Sequence, residues 1–209
     1  MISSRAQSRA VMSAAWGILL LGAIVALSVA EASVLLPDGA VGVPLPGTTA
    51  AAEPDLAGTV LHDELIPFVI RDAAGNTLFG GVLQNRAVRS RTQLVHFYYR
   101  IRDTAPGLPG RIVRVDTVDF PGTIYVDYRI DGLGTVAPRE AGRAGERVKF
   151  FFAGRPTVVA PAPLGLLAGT ESRFFFVKGV YYSFGPGGST TLVLAAGQQV
   201  TLSTVRPAR

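Results

Sequence analysis

The sequence contains no cysteine, two histidines and one tryptophan in 209 residues. Without cysteine, the chain has no disulfide framework, no thiol nucleophile, no zinc–thiolate site and no cysteine for lipid attachment. The two histidines, His62 and His96, are too few for an imidazole-rich metal site. These absences exclude disulfide-bonded scaffolds, thiolate zinc modules, thiol-dependent enzymes and lipoproteins.

Glycine and proline are abundant, with 24 and 14 residues respectively. Together with many β-branched and aromatic residues, this usage excludes a helical bundle and a coiled coil and favours short strands joined by turns. The strand pattern predicts an all-β fold, an antiparallel β-sandwich of jelly-roll or Ig-like type with about 8–10 strands. Residues 57–209 are long enough to form this domain around a hydrophobic core.

The strand prediction is clearest over residues 92–103, where two sets of side chains alternate. Because successive side chains of a strand point to opposite faces, one set is predicted to face the core and the other, which includes His96 and Tyr98, to face solvent. The same alternation elsewhere completes the predicted core. Its members are Val95, Phe97, Tyr99, Val126, Tyr128, Val148, Phe150 and Phe152.

Other segments are predicted to be irregular. Residues 33–56 are rich in alanine, glycine, proline and valine, and we interpret them as an extended linker. Residues 131–146 are polar and glycine-rich and are predicted to form a long loop. Gly80 and Gly81 predict a bulge within their strand, and residues 157–160 predict a short strand.

The first 32 residues have the three parts of a secretory signal peptide. Arg5 and Arg9 give a basic start, residues 16–27 are apolar, and Ala30 and Ala32 are the small residues that precede a cleavage site. The alternative is an uncleaved anchor, because the uncharged stretch is long enough to span a bilayer as a hydrophobic helix. Both interpretations predict a secreted or cell-surface protein, with membrane contact only through an uncleaved N-terminal segment.

Six sequence runs carry a resemblance to a known group of proteins. The chain resembles secreted bacterial β-sandwich proteins, uncharacterised in activity, that often end in a PEP-CTERM-type sorting tail. This sequence departs from the pattern because it ends Thr204-Val-Arg-Pro-Ala-Arg209, so retention by such a tail is not expected. The resemblance implies a place at the cell surface or in the extracellular matrix and supplies no catalytic residue. The runs are Gly81-Val-Leu-Gln-Asn-Arg-Ala-Val, His96-Phe-Tyr-Tyr-Arg-Ile-Arg-Asp, Gly107-Leu-Pro-Gly-Arg, Val126-Asp-Tyr-Arg-Ile-Asp-Gly-Leu-Gly, Arg173-Phe-Phe-Phe-Val-Lys and Val200-Thr-Leu-Ser-Thr.

Motifs of catalysis are missing from the sequence. It contains no Gly-x-Ser-x-Gly elbow, no His-Glu-x-x-His zinc motif and no phosphate-binding loop. We therefore predict a non-enzymatic protein of the cell surface. The less favoured alternative is a hydrolase that uses carboxylates such as Glu140, Glu146 or Glu171.

One set of carboxylates resembles a metal site, namely Asp116, Asp119, Asp127 and Asp131. They lie on two predicted strands that flank a Pro-Gly turn, and Ca²⁺ prefers six to eight oxygen ligands. Arginines alternate with these aspartates, so cross-strand Arg–Asp pairing explains the same spacing. The sequence leaves both a calcium site and ion pairing open, and it predicts no other cofactor.

Arginine and aromatic side chains predict a second candidate surface. A face that combines them suits an acidic polysaccharide, while the alternative is a solvated strand face. Arg86 has the opposite parity to Arg89 and joins this surface only if its strand bends. Nucleic acid is not expected as a partner of an exported protein, whereas other surface proteins are. The candidate binding residues are Arg89, Arg91, His96, Tyr98, Arg100 and Arg102.

Aromatic residues also suggest a carbohydrate-binding module. Tyr98, Tyr125 and Tyr182 could stack against sugar rings, although the chain without its signal peptide would have no tryptophan. Alternate rings of the run Phe174-Phe-Phe176 must face away from the core. A second layer covers those rings, or they form an exposed apolar patch.

Overall fold

A computed structural model describes residues 32–153 and 165–209. These residues form two antiparallel sheets that pack against each other, which confirms the predicted all-β sandwich. Its regular structure is almost all strand, with one short 3₁₀ turn at Pro54–Leu56. Across the described ranges, no helix has the length and apolar character needed to cross a membrane.

The first sheet has six strands. In spatial order they are β1 (Val34–Leu35), β7 (Ile124–Tyr128), β11 (Phe175–Gly179), β5 (Val95–Arg102), β4 (Thr77–Ser90) and β3 (Gly58–Arg71). The second sheet has seven. In order they are β13 (Gln199–Pro207), β12 (Phe184–Leu194), β6 (Arg111–Thr117), β9 (Arg147–Phe151), β8 (Glu140–Ala144) and β2 (Val43–Pro44), with β10 (Leu166–Leu167) also paired to β6.

The hydrophobic core lies between the two sheets. Phe150 and Phe175 meet there from opposite sheets, with their ring centroids 4.8 Å apart. The predicted core residues are all buried except Tyr128, which is half-buried at the margin of the core. A buried polar contact also joins the sheets, because the Val205 amide donates to Asn85 Oδ1 over 2.8 Å.

Residues 33–56 are not the free linker that their composition predicts. Strands β1 and β2 add to the edges of the two sheets, opposite β7 and β8. Leu36 and Leu45 are buried in the core, and their amides donate to the Ile124 and Arg139 carbonyls. Prolines and glycines keep these strands short, but Leu36 and Leu45 still pack in the core.

Three further local predictions concern a loop, a bulge and a short strand. The predicted loop over residues 131–146 contains β8, which pairs with β9 despite its lack of β-branched residues. The register shifts between β3 and β4 lie at Val60–His62 and at Ile70–Arg71, not at the Gly80–Gly81 pair. Gly81 instead lies where a neighbouring strand approaches closely, because a Cβ there would lie 3.0 Å from the Arg102 carbonyl oxygen. The predicted strand at 157–160 lies outside the described residues.

Candidate functional site

The site lies on the outer face of the six-stranded sheet, meaning the face that points away from the core. Register places Arg86 opposite Tyr98 and Gln84 opposite Arg100 on the central strands β4 and β5. Phe176 of β11 lies opposite Tyr98 on the other side. Because partners across a ladder share a face, these side chains form adjoining rows on the outer surface.

This outer face is not the wet surface that alternation predicts. His96, Tyr98 and Arg100 have relative exposures of only 1%, 4% and 5%. A second apolar cluster lies on this face and includes Tyr98 itself. It consists of Leu56, Val88, Tyr98, Phe174 and Phe176. Of the two alternatives for the outward-facing phenylalanine rings, the covering second layer is therefore the one found.

Residues 53–56, which we call the strap, bring Leu56 into this cluster. The strap crosses the outer face and includes the 3₁₀ turn. Its backbone is held from below, since the Leu56 carbonyl accepts hydrogen bonds from Tyr98 Oη over 3.1 Å and from Arg129 Nη1 over 3.3 Å. The segment that composition labels a linker therefore forms part of the candidate site.

Contacts of two acidic side chains also hold the strap. The Asp55 Oδ2 atom lies 3.3 Å from His96 Nε2, and Asp55 Oδ1 accepts a hydrogen bond of 2.7 Å from Thr92. The Glu53 carboxylate contacts the Lys178 ammonium. Buried polar groups require such partners, since an unpaired charge is costly away from water.

Burial shifts the titration of these groups. Burial lowers the pKa of His96, and it outweighs the opposing attraction of Asp55. Burial alone would raise the pKa of Asp55. Hydrogen bonds from Thr92 and Ser90, together with the nearby His96, outweigh burial and leave this pKa below its ordinary value. The neutral imidazole beside an ionised carboxylate is thus the state that this packing favours near neutral pH.

A groove of about 410 Å³ opens beside the strap. Apolar and aromatic side chains form most of it, with Tyr98 and Phe174 among them and the exposed Leu133 at its edge. Arg86 and Arg129 are its charged lining residues. This composition, a mostly apolar concavity with a few placed polar groups, is typical of ligand-binding sites.

Both groove arginines are already paired with carboxylates. Arg86 Nη2 lies 2.7 Å from Asp63 Oδ2, and its guanidinium carbon lies 4.9 Å from the Phe174 ring centroid. Arg129 makes two bonds to Asp131, of 2.6 Å from Nε and 2.9 Å from Nη2. The charge of each groove arginine is therefore compensated by an aspartate beside it.

These pairs also keep the two aspartates ionised. Burial raises the pKa of Asp63, but hydrogen bonds from Arg86 and Gln84 outweigh it and lower the pKa overall. The hydrogen bond from Arg129 lowers the pKa of Asp131. Neither carboxyl group is set up to hold a proton near neutral pH.

The arginines of the predicted basic surface do not lie on one face of the sheet. Arg89 lies opposite the core residue Val95 and has the parity of the inner face, so it points away from Arg100. Arg91 lies in the turn after β4. The arginine that shares the outer face with Arg100 and Arg102 is Arg86, without any bend, because the β4–β5 register sets this parity.

Arg100 and Arg102 are not free cations either. Arg100 pairs with Glu171, and Arg102 Nε lies 2.8 Å from Asp103 Oδ2. Arg100 is also almost fully buried, so its charge is used inside the protein. Together with Arg89 on the other face, this arrangement weakens the case for a polyanion surface.

The four candidate calcium ligands do not meet. Asp116 lies in the seven-stranded sheet and Asp127 in the six-stranded sheet, so the Pro-Gly turn joins two sheets and not two neighbouring strands. Within the described residues, no group of three or more histidine, aspartate or glutamate side chains could hold a metal ion.

Each of these aspartates has another partner. Arg114 donates to Asp116 over 2.8 Å within one strand, and Arg147 of the neighbouring strand β9 lies 3.8 Å from Asp116, which is a cross-strand Arg–Asp contact. Asp127 Oδ1 accepts hydrogen bonds from the Gly47 and Tyr128 amides. Asp119 pairs with Arg209, and Asp131 pairs with Arg129 as described above.

The remaining candidate residues lie apart. Glu171 holds Arg100, Glu146 Oε2 lies 2.8 Å from Arg209 Nη2, and Glu140 begins β8. Tyr125 and Tyr182 are exposed, and Tyr125 lies beside Lys178 in a smaller cavity on the far side of Asp55. No pattern in the sequence indicates Glu53, Asp55 or Lys178 as site residues. The apolar Leu56 directly after the run Glu53-Pro-Asp55 is the one signal that could have indicated a buried strap.

Comparisons with known proteins add no relative. No protein-family model, no curated protein and no solved structure matches this chain.

Proposed function

We propose that this protein is an exported, non-enzymatic β-sandwich of the cell surface or extracellular matrix, and that its groove beside the strap binds a neutral polysaccharide. The observation that carries the binding proposal is an apolar, aromatic lining combined with two arginines in one concavity, each paired with an aspartate beside the groove. Export is inferred from the signal-like first 32 residues and from the resemblance to secreted bacterial β-sandwich proteins.

The chemistry of the groove favours a neutral saccharide over an acidic one. The hydroxyl groups of a sugar need both donors and acceptors, and an arginine–aspartate pair offers both side by side. The C–H faces of the ring need apolar surface, which the exposed Val60 and Leu133 provide, together with the small exposed margins of Tyr98 and Phe174. An acidic sugar would find arginines whose charges Asp63 and Asp131 already compensate, so it would gain little attraction from them.

The state of the groove carboxylates supports a binding role over hydrolysis. A glycoside hydrolase needs one protonated carboxyl group as its general acid. Asp63 and Asp131 are instead held as anions by Arg86 and Arg129. The proposal assigns no role to calcium, since the candidate aspartates lie in different parts of the fold.

The direct test is a glycan array, probed with the exported protein and containing neutral and acidic polysaccharides. We expect retention on neutral polymers that is nearly unchanged in about 1 M salt, where exposed charges are screened beyond roughly 3 Å. Binding to acidic polymers alone, lost in high salt, would replace this proposal with the polyanion one. Binding to no polysaccharide would refute it.

Two arginines on one strand provide a matched pair of variants. Arg86→Gln should weaken binding about tenfold, as expected for the loss of one hydrogen bond from a charged group. Arg89→Gln, on the opposite face of the same strand, should leave binding unchanged. Arg86→Gln leaves the Asp63 carboxylate without its arginine partner. The double variant Arg86→Gln with Asp63→Asn also removes that carboxylate and should bind as weakly as Arg86→Gln alone. Equal effects of Arg86→Gln and Arg89→Gln would contradict the site.

A further inference from the structure

The residue that follows the predicted cleavage site lies in a polar pocket. Ala32 is exposed, whereas Ser33 is buried with a relative exposure of 9%. The Ser33 amide donates to Glu53 Oε2 over 3.1 Å, and its hydroxyl donates to Glu53 Oε1 over 3.0 Å. Both polar groups of this one residue are therefore bound by a single carboxylate.

Glu53 is itself largely buried. Its side chain has a relative exposure of 12%, and the Lys178 ammonium is the other charged group in contact with it. Burial lowers the pKa of Lys178. A cation held at hydrogen-bond distance from a carboxylate makes a charge-assisted hydrogen bond, which is stronger than one from a neutral amide.

We infer that Glu53 is the binding site for the α-ammonium group created when the chain is cleaved between Ala32 and Ser33. Hydrolysis of this peptide bond consumes one water, leaves a carboxylate on Ala32 and leaves an ammonium on Ser33. The Ser33 nitrogen changes from a neutral amide with one N–H to a cation with three. It does so within hydrogen-bond distance of a carboxylate that is already aimed at it. The inference rests on the proposed export.

The new charge would act on the groove through the strap. Glu53 is the first residue of the strap, and Leu56, three positions later, lines the groove. Ser33 is followed directly by β1, which pairs with β7 of the six-stranded sheet. An ammonium at Ser33 would therefore tie the first strand of the mature chain to the strap, so that maturation strengthens the cover of the outer face.

The burial of Ser33 also sets an order of events. A protease needs an accessible, extended bond, and such bonds are found in exposed segments. The Ala32–Ser33 bond enters the fold at Ser33, where β1 begins one residue later. Cleavage would thus come before β1 pairs with β7.

The experiment begins with the full chain produced in an exporting bacterium. The exported product is sequenced from its N-terminus and then treated with periodate, which oxidises an N-terminal serine because its amine and hydroxyl are on adjacent carbons. We expect the product to begin at Ser33. Folded protein should react at least about tenfold more slowly than protein in denaturant, since charge-assisted hydrogen bonds hold both reacting groups.

Two variants sharpen this test. Glu53→Gln should raise the rate in the folded protein towards the denatured rate, while Glu146→Gln, which changes an exposed ion pair elsewhere, should not. If Glu53→Gln does not fold, the comparison of folded and denatured wild-type protein still decides. Failure of the chain to be exported would overturn both the export proposal and this inference, whereas an exported product that begins elsewhere would overturn this inference alone. A product that begins at Ser33 but reacts equally fast when folded would overturn this inference alone.

Discussion

The two faces of the six-stranded sheet differ in what buries them. The inner face is covered by the other sheet, with residues such as Phe97 and Tyr99 fully buried in the core. On the outer face, His96 and Tyr98 are nearly as buried, but a strap and a small aromatic cluster cover them. The polarity of alternate residues therefore distinguishes the two faces correctly, whereas it does not reveal whether the polar face is exposed.

The largest expected effect is on the inner face. Phe150→Ala should lower the free energy of unfolding by about 3–5 kcal/mol, because it leaves a cavity between two sheets that cannot collapse. Denaturant unfolding of the purified protein measures it. A loss below about 1 kcal/mol would mean that the packing between the sheets contributes less than its burial suggests.

The next effect is on the outer face. Leu56→Ala should lower the free energy of unfolding by about 2 kcal/mol, the low end for such a change, because the strap can shift towards the sheet. The control Leu133→Ala, at the exposed edge of the same groove, should change it by no more than about 0.5 kcal/mol. If both variants behave alike, the strap does not cover the outer face as a packed layer.

The smallest effect is a dependence of folding stability on pH that arises from His96 and Asp55 on the outer face. The folded-state pKa of His96 lies below the ordinary 6.5, so the folded protein binds this proton less readily than the unfolded chain does. Its contribution to stability is full above pH 6.5 and is lost as pH falls from there to the lowered pKa. Asp55, with a pKa below 3.8, adds a second loss at lower pH still.

A pH series of unfolding measurements checks this dependence. His96→Gln should remove the first decline, while His62→Gln should keep it, since His62 lies away from the strap beside Glu64. A wild-type stability that is flat from pH 7 down to about pH 5 would show that protonation of His96 is not linked to folding.

The inner face was predictable because it depends on local alternation. The strand at residues 92–103 and the core positions Phe97 and Phe150 follow from the period of two that any half-buried strand displays. Strands β1, β2 and β10 did not follow, because two residues are too few to show a period. Strand β8, with the sequence Glu-Ala-Gly-Arg-Ala, has little strand propensity and forms because β9 and β2 offer it partners.

The site was only partly predictable, since it depends on pairing between distant segments. Tyr98 was chosen correctly as an outward-facing residue on the face that forms the groove. The choice of Arg89 over Arg86 was wrong because only the register of β4 against β5 decides which arginine shares a face with Arg100. Composition alone could not place Asp55 beside His96, because the two residues are 41 positions apart and strands β3 and β4 lie between them in the chain.

The measurement that tests the proposed groove most directly is an NMR titration of the exported protein with a fragment of the neutral polysaccharide selected on the array. We expect chemical-shift changes at Val60, Arg86, Tyr98 and Leu133, which line the groove, and none at Arg89 on the other face. Changes centred on Arg89 and Arg91, or on the strands of the seven-stranded sheet, would contradict a binding site on the outer face of the six-stranded sheet.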